Sequence, residues 1–170
     1  MKHSTKLMAT AIAAVAIFFG TQANAQTKSS DSPWRLGLGV EAGVPTGAAI
    51  SSNFELGGTA RLQYGADKGL AYTLTSGYYN FFPKASSGAS AGVVPVKAGI
   101  KAYFADNVYF GAEGGVAIVT GAGSATKLDF APGLGYSTKS VDIGVRYENF
   151  SGQNSNFGLI GLRLAYGFGL

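Results

Sequence analysis

The sequence has no cysteine, a single histidine and few charged residues. Only 13% of its 170 residues are charged, five are proline, and the one histidine is His3. Without cysteine there can be no disulfide bond and no thiolate chemistry. Without a Cys/His cluster there is no zinc-type site, and no phosphate-binding or dinucleotide fingerprint is present. We therefore expect no catalytic residues, no metal site and no cofactor.

The first 25 residues have the pattern of a secretory signal peptide. Lys2 and Lys6 supply the positive start, the apolar segment covers 7–19, and Ala23 and Ala25 form an A-x-A cleavage site. The alternative, a transmembrane helix, is disfavoured because the apolar segment is too short to span a bilayer. Removal of the leader leaves 11 basic against 9 acidic residues, so the positive charge gives no reason to expect nucleic-acid binding. Residues 26–33 are predicted to be a flexible lead-in.

The C-terminal stretch alternates large apolar residues with small or polar ones. Its apolar set comprises Leu162, Leu164, Tyr166, Phe168 and Leu170. Alternation with a period of two predicts a strand with one apolar face. Such a strand with an aromatic-rich face is typical of a transmembrane barrel, in which every strand edge is paired.

The same alternation predicts seven earlier strands and hence an even number of strands. The predicted strands are 34–44, 54–65, 70–81, 93–104, 108–119, 127–136, 141–150 and 158–170. Their lengths suit strands that cross a membrane at a tilt. The alternation is disturbed after Ser76, at Pro132 and at Leu159-Ile160, so we expect bulges or irregularities at these three places.

The predicted connections alternate between long and short. Long polar loops are expected at 45–53, 82–92, 120–126 and 151–156, with short turns between them. Short periplasmic turns and longer outer loops are typical of outer-membrane barrels, whose even strand number places both chain ends on the periplasmic side.

The apolar face of the predicted strands indicates which side meets lipid. A soluble barrel of the lipocalin type also alternates, but with the apolar face inward. Here the apolar face carries no charge, and seven of its aromatic residues fall near the predicted periplasmic rim. These are Trp34, Tyr64, Tyr72, Phe104, Phe110, Tyr136 and Phe168. The pattern therefore predicts an apolar exterior and a small-residue, sparsely charged lumen.

The predicted lumen face carries equal numbers of acidic and basic candidates. They are Arg35, Glu41, Glu55, Arg61, Lys97, Lys101, Glu113, Asp129, Asp142, Arg146, Glu148 and Arg163. An eight-stranded interior is only wide enough for its own side chains, and unpaired buried charges are costly. We therefore expect these charges to pair into a plug, with a gated or selective pathway as the alternative. Arg163 is predicted to pair with a carboxylate on strand 1 or strand 7.

One sequence motif suggests catalysis but lacks the required context. Residues 88–92 read G-x-S-x-G, which in hydrolases needs a strand-to-helix elbow and a histidine base. Here the motif lies in a predicted loop, and the chain without its leader has no histidine. We interpret the match as chance.

The chain from about residue 34 to 170 resembles the small eight-stranded outer-membrane barrels of the OmpA/OmpX-like family. The resemblance rests on the leader, the eight alternating strands and the C-terminal Tyr166, Phe168 and Leu170, which resemble the signal read by the barrel-assembly machinery. It implies an all-β, antiparallel up-and-down transmembrane barrel in the bacterial outer membrane, in contact with outer-membrane lipid. Enzymes of this size that modify lipid A use histidine, so the resemblance favours a non-enzymatic structural or surface-interaction role. Its outer loops would bind an extracellular ligand that the sequence does not identify; a narrow pore or carrier for small or apolar solutes is the alternative.

Overall fold

The structure is a computed structural model that describes residues 33–47, 52–65, 69–83, 90–120, 125–152 and 156–170. The predicted leader 1–25 and the lead-in up to residue 32 lie outside the described residues. So do parts of the four predicted loops.

The described residues form eight antiparallel strands in one closed barrel, which confirms the predicted fold class. The strands are β1 Trp34–Thr46, β2 Ser52–Tyr64, β3 Leu70–Pro83, β4 Ala91–Tyr103, β5 Val108–Thr120, β6 Ala125–Ser137, β7 Val141–Ser151 and β8 Phe157–Gly169. Each strand pairs with its neighbours in the sequence, and β8 closes against β1. No helix in the described part of the chain is long and apolar enough to cross a membrane.

The strands are staggered in register around the barrel. A path along paired residues starts at Leu36, passes Leu62, Leu74, Ala98, Gly114, Phe130, Asn149 and Gly158, and returns to β1 at Thr46. The return point lies ten residues beyond the start. Such a stagger requires the strands to tilt from the barrel axis, typically by about 35–45°. The tilt brings residues that are distant in the sequence to the same level of the lumen.

The exterior of the barrel is apolar, and the predicted inside and outside faces are confirmed. Within the described strands, every charged side chain points inward, while residues such as Leu74 and Leu162 are about half exposed. Six of the seven predicted rim aromatics, Phe168 excepted, are at least 44% exposed. Trp34 and Tyr64 pair across β1 and β2 with ring centroids 4.7 Å apart. This is the surface of a transmembrane barrel.

The bulge predicted after Ser76 is absent, but the ladder between β3 and β4 lapses at Gly77 and Tyr78, opposite Pro95, and keeps the same register on both sides. The register between β2 and β3 is continuous from Phe54 to Tyr64, and it shifts only at Ser52, at the edge of the sheet. Tyr79 and Phe81 are buried, while Tyr78 is half exposed. The adjacent aromatic pairs arise because both faces of β3 are apolar near this end. Successive side chains still point alternately inward and outward, but both sets are apolar.

Pro132 does not produce the predicted bulge. The ladder between β6 and β7 lapses at residues 131 and 132 but keeps the same register on both sides. Pro132 itself pairs with Ala112 on β5 without a shift. Proline removes a hydrogen-bond donor from one ladder. Here the missing hydrogen bond interrupts the pairing with β7 over two residues and does not shift the strands.

The irregularity predicted at Leu159-Ile160 is also absent. Both ladders of β8 run through this point without a shift. Leu159 is fully buried inside, and Ile160 is half exposed outside.

The loops are shorter than predicted because the strands extend into them. The connections are 47–51, 84–90, 121–124 and 152–156 at one end, which we call the loop end, and 65–69, 104–107 and 138–140 at the other, the turn end. Only 84–90 is longer than five residues. Gly69 has φ +108°, a conformation that favours glycine. The predicted strong contrast between long and short connections is therefore wrong.

Candidate functional site

The structure places all twelve predicted lumen charges inside the barrel. Eleven of them are buried, and Arg35 is half-buried near the turn end. Each lies on the inward face because inward and outward positions alternate along every strand. The barrel thereby brings together charged side chains from seven of its eight strands, β3 contributing none.

The first group of charges lies nearer the loop end, and we call it the loop-side cluster. Lys97 contacts Glu148 and lies 3.7 Å from the nearer carboxylate oxygen of Asp129. Arg146 donates from Nε to Glu148 Oε2 at 2.8 Å, and its Nη2 contacts the carboxylate of Glu41. The cluster therefore consists of three carboxylates around two cations, with Glu41 at its edge facing the turn end.

The Tyr79 hydroxyl lies within the loop-side cluster. It accepts hydrogen bonds from Arg146 Nη2 at 2.9 Å and from Lys97 Nζ at 3.2 Å. One buried phenol oxygen therefore satisfies N–H groups of two cations at once. A Phe at this position would leave both donors short of a partner.

The second group, the turn-side cluster, surrounds Asp142. Lys101 contacts its carboxylate, Arg163 Nη1 lies 3.2 Å from Oδ1, and Arg61 Nη1 lies 4.0 Å from Oδ1. Tyr109 donates to the same Oδ1 at 3.0 Å. Three cations thus share one carboxylate.

Glu113 completes the turn-side cluster. It accepts from Arg61 Nη2 at 2.8 Å, from Thr75 at 2.7 Å and from Thr73 at 3.1 Å. The carboxylate is held by three polar atoms from β2 and β3, across the lumen from β5, and such partners are what a buried charge needs.

Arg163 joins the two clusters. Its Nε lies 3.3 Å from Glu41 Oε1, and its Nη1 reaches Asp142. Arg163 therefore pairs with a carboxylate on each of the two strands next to β8, Glu41 on β1 and Asp142 on β7. A continuous chain of ion pairs therefore runs from Lys97 to Lys101.

Two of the predicted charges have no ion-pair partner among the described residues. Both oxygens of Glu55 are buried without a hydrogen bond. Arg35 donates to Ser137 Oγ at 3.3 Å, and its Nη2 is buried without a partner. The expectation that every lumen charge pairs is wrong for these two residues, which lie towards opposite ends of the barrel.

An apolar layer covers the loop-side cluster, and the sequence analysis missed it. It consists of the buried side chains of Tyr79, Phe81, Val93, Ala117, Phe150 and Leu159, flanked by Ala91, Val119 and Phe157. The Phe81 and Phe157 rings meet edge to face with centroids 5.9 Å apart, and Phe150 stacks on Phe157 at 4.7 Å. The signal for this layer was the set of adjacent apolar pairs that we had interpreted as irregularities.

Lys127 is a further inward cation that the predicted set omitted. It is buried near the loop end, and its Nζ donates to the carbonyl oxygen of Gly152 at 2.9 Å. Its alternating position on β6 was a sufficient signal.

Two small cavities lie among the inward side chains of the described barrel. A cavity of about 30 Å³ lies among Arg61, Lys101, Glu113, Arg146 and Arg163. A second, of about 10 Å³, lies closer to the turn end. A single water needs roughly 10–15 Å³ by this measure, so the two cavities hold a few water-sized species.

The predicted assembly-signal residues lie on the exterior at the turn end. Tyr166 and Phe168 are neighbours on the outward face of β8 with ring centroids 4.9 Å apart. Leu170 is 58% exposed, and its backbone N–H donates to Trp34 O at 3.1 Å.

Comparison with known proteins identifies the fold. No family model matches the sequence, and no curated protein sequence matches it either. Solved structures do match. The attachment invasion locus protein Ail of Yersinia pestis has a TM-score of 0.56 and 15% identity, covering 81% of this chain and 99% of its own.

Two further structures have the same shape at similarly low identity. Neisserial surface protein A has a TM-score of 0.54 and 15% identity, covering 80% of this chain and 95% of its own. A de novo designed transmembrane β-barrel has a TM-score of 0.52 and 16% identity, covering 83% of this chain and 100% of its own. The chain therefore has the fold of the small eight-stranded transmembrane β-barrels, as the resemblance in its sequence implied.

Proposed function

We propose that the chain is an integral protein of a bacterial outer membrane, exported through the periplasm after loss of its leader. Its role is structural or in surface interaction, it is not an enzyme, and its lumen is closed by its own side chains. The observation that carries the proposal is the filled lumen, in which an apolar layer lies over a continuous chain of buried ion pairs.

The apolar layer and the ion pairs oppose permeation in different ways. Phe150 and Leu159 are fully buried at the loop end, so a hydrated ion would have to displace close-packed apolar side chains there. Below them, a passing ion would have to break charge pairs whose separated members are costly to bury. Both barriers act in series on any solute.

The surface-interaction role rests on the loop end. Any ligand outside the cell would meet the connections 47–51, 84–90, 121–124 and 152–156. Ail is named as an attachment protein, and one structure of it holds the heparin analogue sucrose octasulfate. By analogy, we propose that these connections contact an extracellular partner, with 84–90 offering the longest surface.

The exterior residues of β8 support a proposed route of assembly. Tyr166, Phe168 and Leu170 would be recognised by the barrel-assembly machinery as the strand emerges, and the apolar exterior would then meet outer-membrane lipid. We expect Phe168→Ala to reduce the amount of protein assembled into the outer membrane. A matched change at Phe110, a rim aromatic on β5, should have a smaller effect. Equal losses would contradict a specific role for β8.

Planar-bilayer conductance tests the closed lumen. The wild-type protein should show no sustained conductance steps. The double variant Phe150→Ala, Leu159→Ala opens the apolar layer and should conduct in short bursts limited by the ion pairs beneath. Leu162→Ala, on the outward face of β8, provides a control for the Leu159 change, because it removes the same side chain from the same strand without touching the lumen.

Steady conductance by the wild-type protein would overturn the closed lumen and favour the alternative, a narrow pore or carrier for small or apolar solutes. If neither the wild type nor the double variant conducts, the ion pairs alone are sufficient to block the lumen. Heat-modifiable gel mobility confirms in each case that the barrel has folded.

A further inference from the structure

The smaller cavity of the lumen is surrounded mainly by positive charge. Its lining includes Arg35, Arg61, Lys101 and Arg163, with Asp142 as the one carboxylate that lines it. The neighbouring carboxylates Glu113 and Glu41 balance Arg61 and Arg163. Arg35 remains as an excess cation, because no carboxylate of the described residues pairs with it.

Two buried N–H donors have no partner at this place. They belong to Nη2 of Arg35 and Nη2 of Arg163. Arg163 is 97% buried and otherwise satisfied by Glu41, Thr59 and Asp142. A buried guanidinium N–H without an acceptor costs free energy, so an acceptor in the cavity would be stabilising.

Two paired glycines create the space. Gly37 on β1 and Gly167 on β8 are register partners, and both line the cavity. A Cβ on Gly37 would stand 3.6 Å from Arg163 Nη2, and a Cβ on Gly167 would overlap the Arg35 guanidinium. The unpartnered donors thus lie at the wall positions where side chains are missing.

We propose that this cavity is a binding site for one small inorganic anion of the size of chloride. The anion accepts hydrogen bonds from Arg35 and Arg163 and neutralises the excess charge of Arg35. The cavity volume of about 10 Å³ suits a single water-sized species rather than an organic ligand. The anion enters from the turn end, where Arg35 is half-buried.

Unfolding by urea from zwitterionic vesicles tests the site, with chloride titrated against gluconate at constant ionic strength. For one site, the folding equilibrium constant rises by the factor 1 + [Cl⁻]/Kd, which is about twofold when chloride equals Kd. We expect the wild-type constant to rise linearly with chloride, without reaching a plateau, because only the folded state binds the anion. Constant ionic strength keeps the screening of other charges the same.

Two variants should lose the response by different routes. Gly37→Ala places a methyl group in the cavity with no contact shorter than 3.6 Å and leaves every charge in place. Arg35→Gln removes the excess cation. Two controls should respond like the wild type: Gly58→Ala, whose added methyl lies on the outward face, and Lys139→Gln, which removes an exposed cation at the turn end.

No chloride response in the wild type would overturn the site and leave water as the occupant. A response that survives both Gly37→Ala and Arg35→Gln would also overturn it, because chloride would then act elsewhere. These unfolding measurements do not depend on conductance. A failure of the anion site can therefore be distinguished from a failure of the closed lumen.

Discussion

Glu41 and Arg163 are direct register partners across the seam where β1 meets β8, and Arg163 Nε lies 3.3 Å from Glu41 Oε1. The pair joins the first strand of the barrel to the last. Since Arg163 also reaches Asp142 on β7, one side chain ties three strands together at the point of closure.

Arg163→Ala should destabilise the barrel strongly. The change leaves Glu41 and Asp142 each without one cationic partner in a buried site, and breaking a buried ion pair costs about 3–5 kcal/mol. Urea unfolding in lipid vesicles measures the loss in the free energy of unfolding. Lys139→Ala, at an exposed turn position, should change that free energy by less than about 0.5 kcal/mol. Comparable effects of the two variants would show that the seam pair has no special role.

A charge on the exterior should be far more harmful than a conservative change in the lumen. Ile100→Arg and Leu38→Arg place a cation on the outward face, at a cost of about 2–4 kcal/mol near the middle of the membrane. Thr73→Ser keeps the hydroxyl that donates to Glu113 at 3.1 Å and loses one methyl group, worth about 0.8 kcal/mol. The same vesicle assay compares them, and equal tolerance would reverse our assignment of the faces.

Gly39→Ser, which also lies on the lumen face, is not a suitable mild control. The small size of glycine and an inward position suggest tolerance, yet a Cβ there would stand 2.7 Å from the Ala165 Cβ and 3.0 Å from the Leu164 carbonyl oxygen. We expect destabilisation instead, because the clash involves the backbone of β8.

Two adjacent glycines of β5 should respond oppositely to alanine. A Cβ on Gly115 would overlap the Val96 carbonyl oxygen and lie 2.8 Å from the Lys97 Cα, so Gly115→Ala should cost about 1–3 kcal/mol. A Cβ on Gly114 meets only the Phe130 ring, at 3.9 Å. Gly114→Ala should therefore be neutral or stabilise by up to about 1 kcal/mol. Thermal or urea unfolding of the two variants in detergent decides the point, and an equal response would contradict the close approach of β4 and β5.

Two fully buried glutamates should differ because only one has partners. Glu148 pairs with Lys97 and Arg146, so Glu148→Gln should cost on the order of 3–5 kcal/mol. Glu55 has no hydrogen bond to either oxygen, and Glu55→Gln replaces a buried carboxyl group that has no partner with a neutral amide. We expect no loss of stability from Glu55→Gln in urea unfolding near neutral pH. A loss as large as that of Glu148→Gln would reveal a partner for Glu55.

Much of the architecture could be predicted from the sequence because it depends on a local rule. Successive side chains of a strand point to opposite faces, so the alternation in segments such as 34–44 is enough to assign strands and faces. The charges on those segments then lie inside, since a charge in contact with lipid is costly. The even strand number and the uncharged exterior predict a closed transmembrane barrel.

Only the tertiary structure decided which side chains meet and where the lumen is closed. The partners of Arg163 depend on a ten-residue stagger accumulated over eight strand pairs, which no single segment encodes. The apolar layer could not be predicted from the sequence because Leu159 and Ile160 are both apolar although they face opposite sides of the barrel. At such positions the polarity of a side chain does not indicate whether it points into the lumen or outward. Whether Glu55 and Arg35 find partners likewise depends on distances set by the curvature and tilt of the whole barrel.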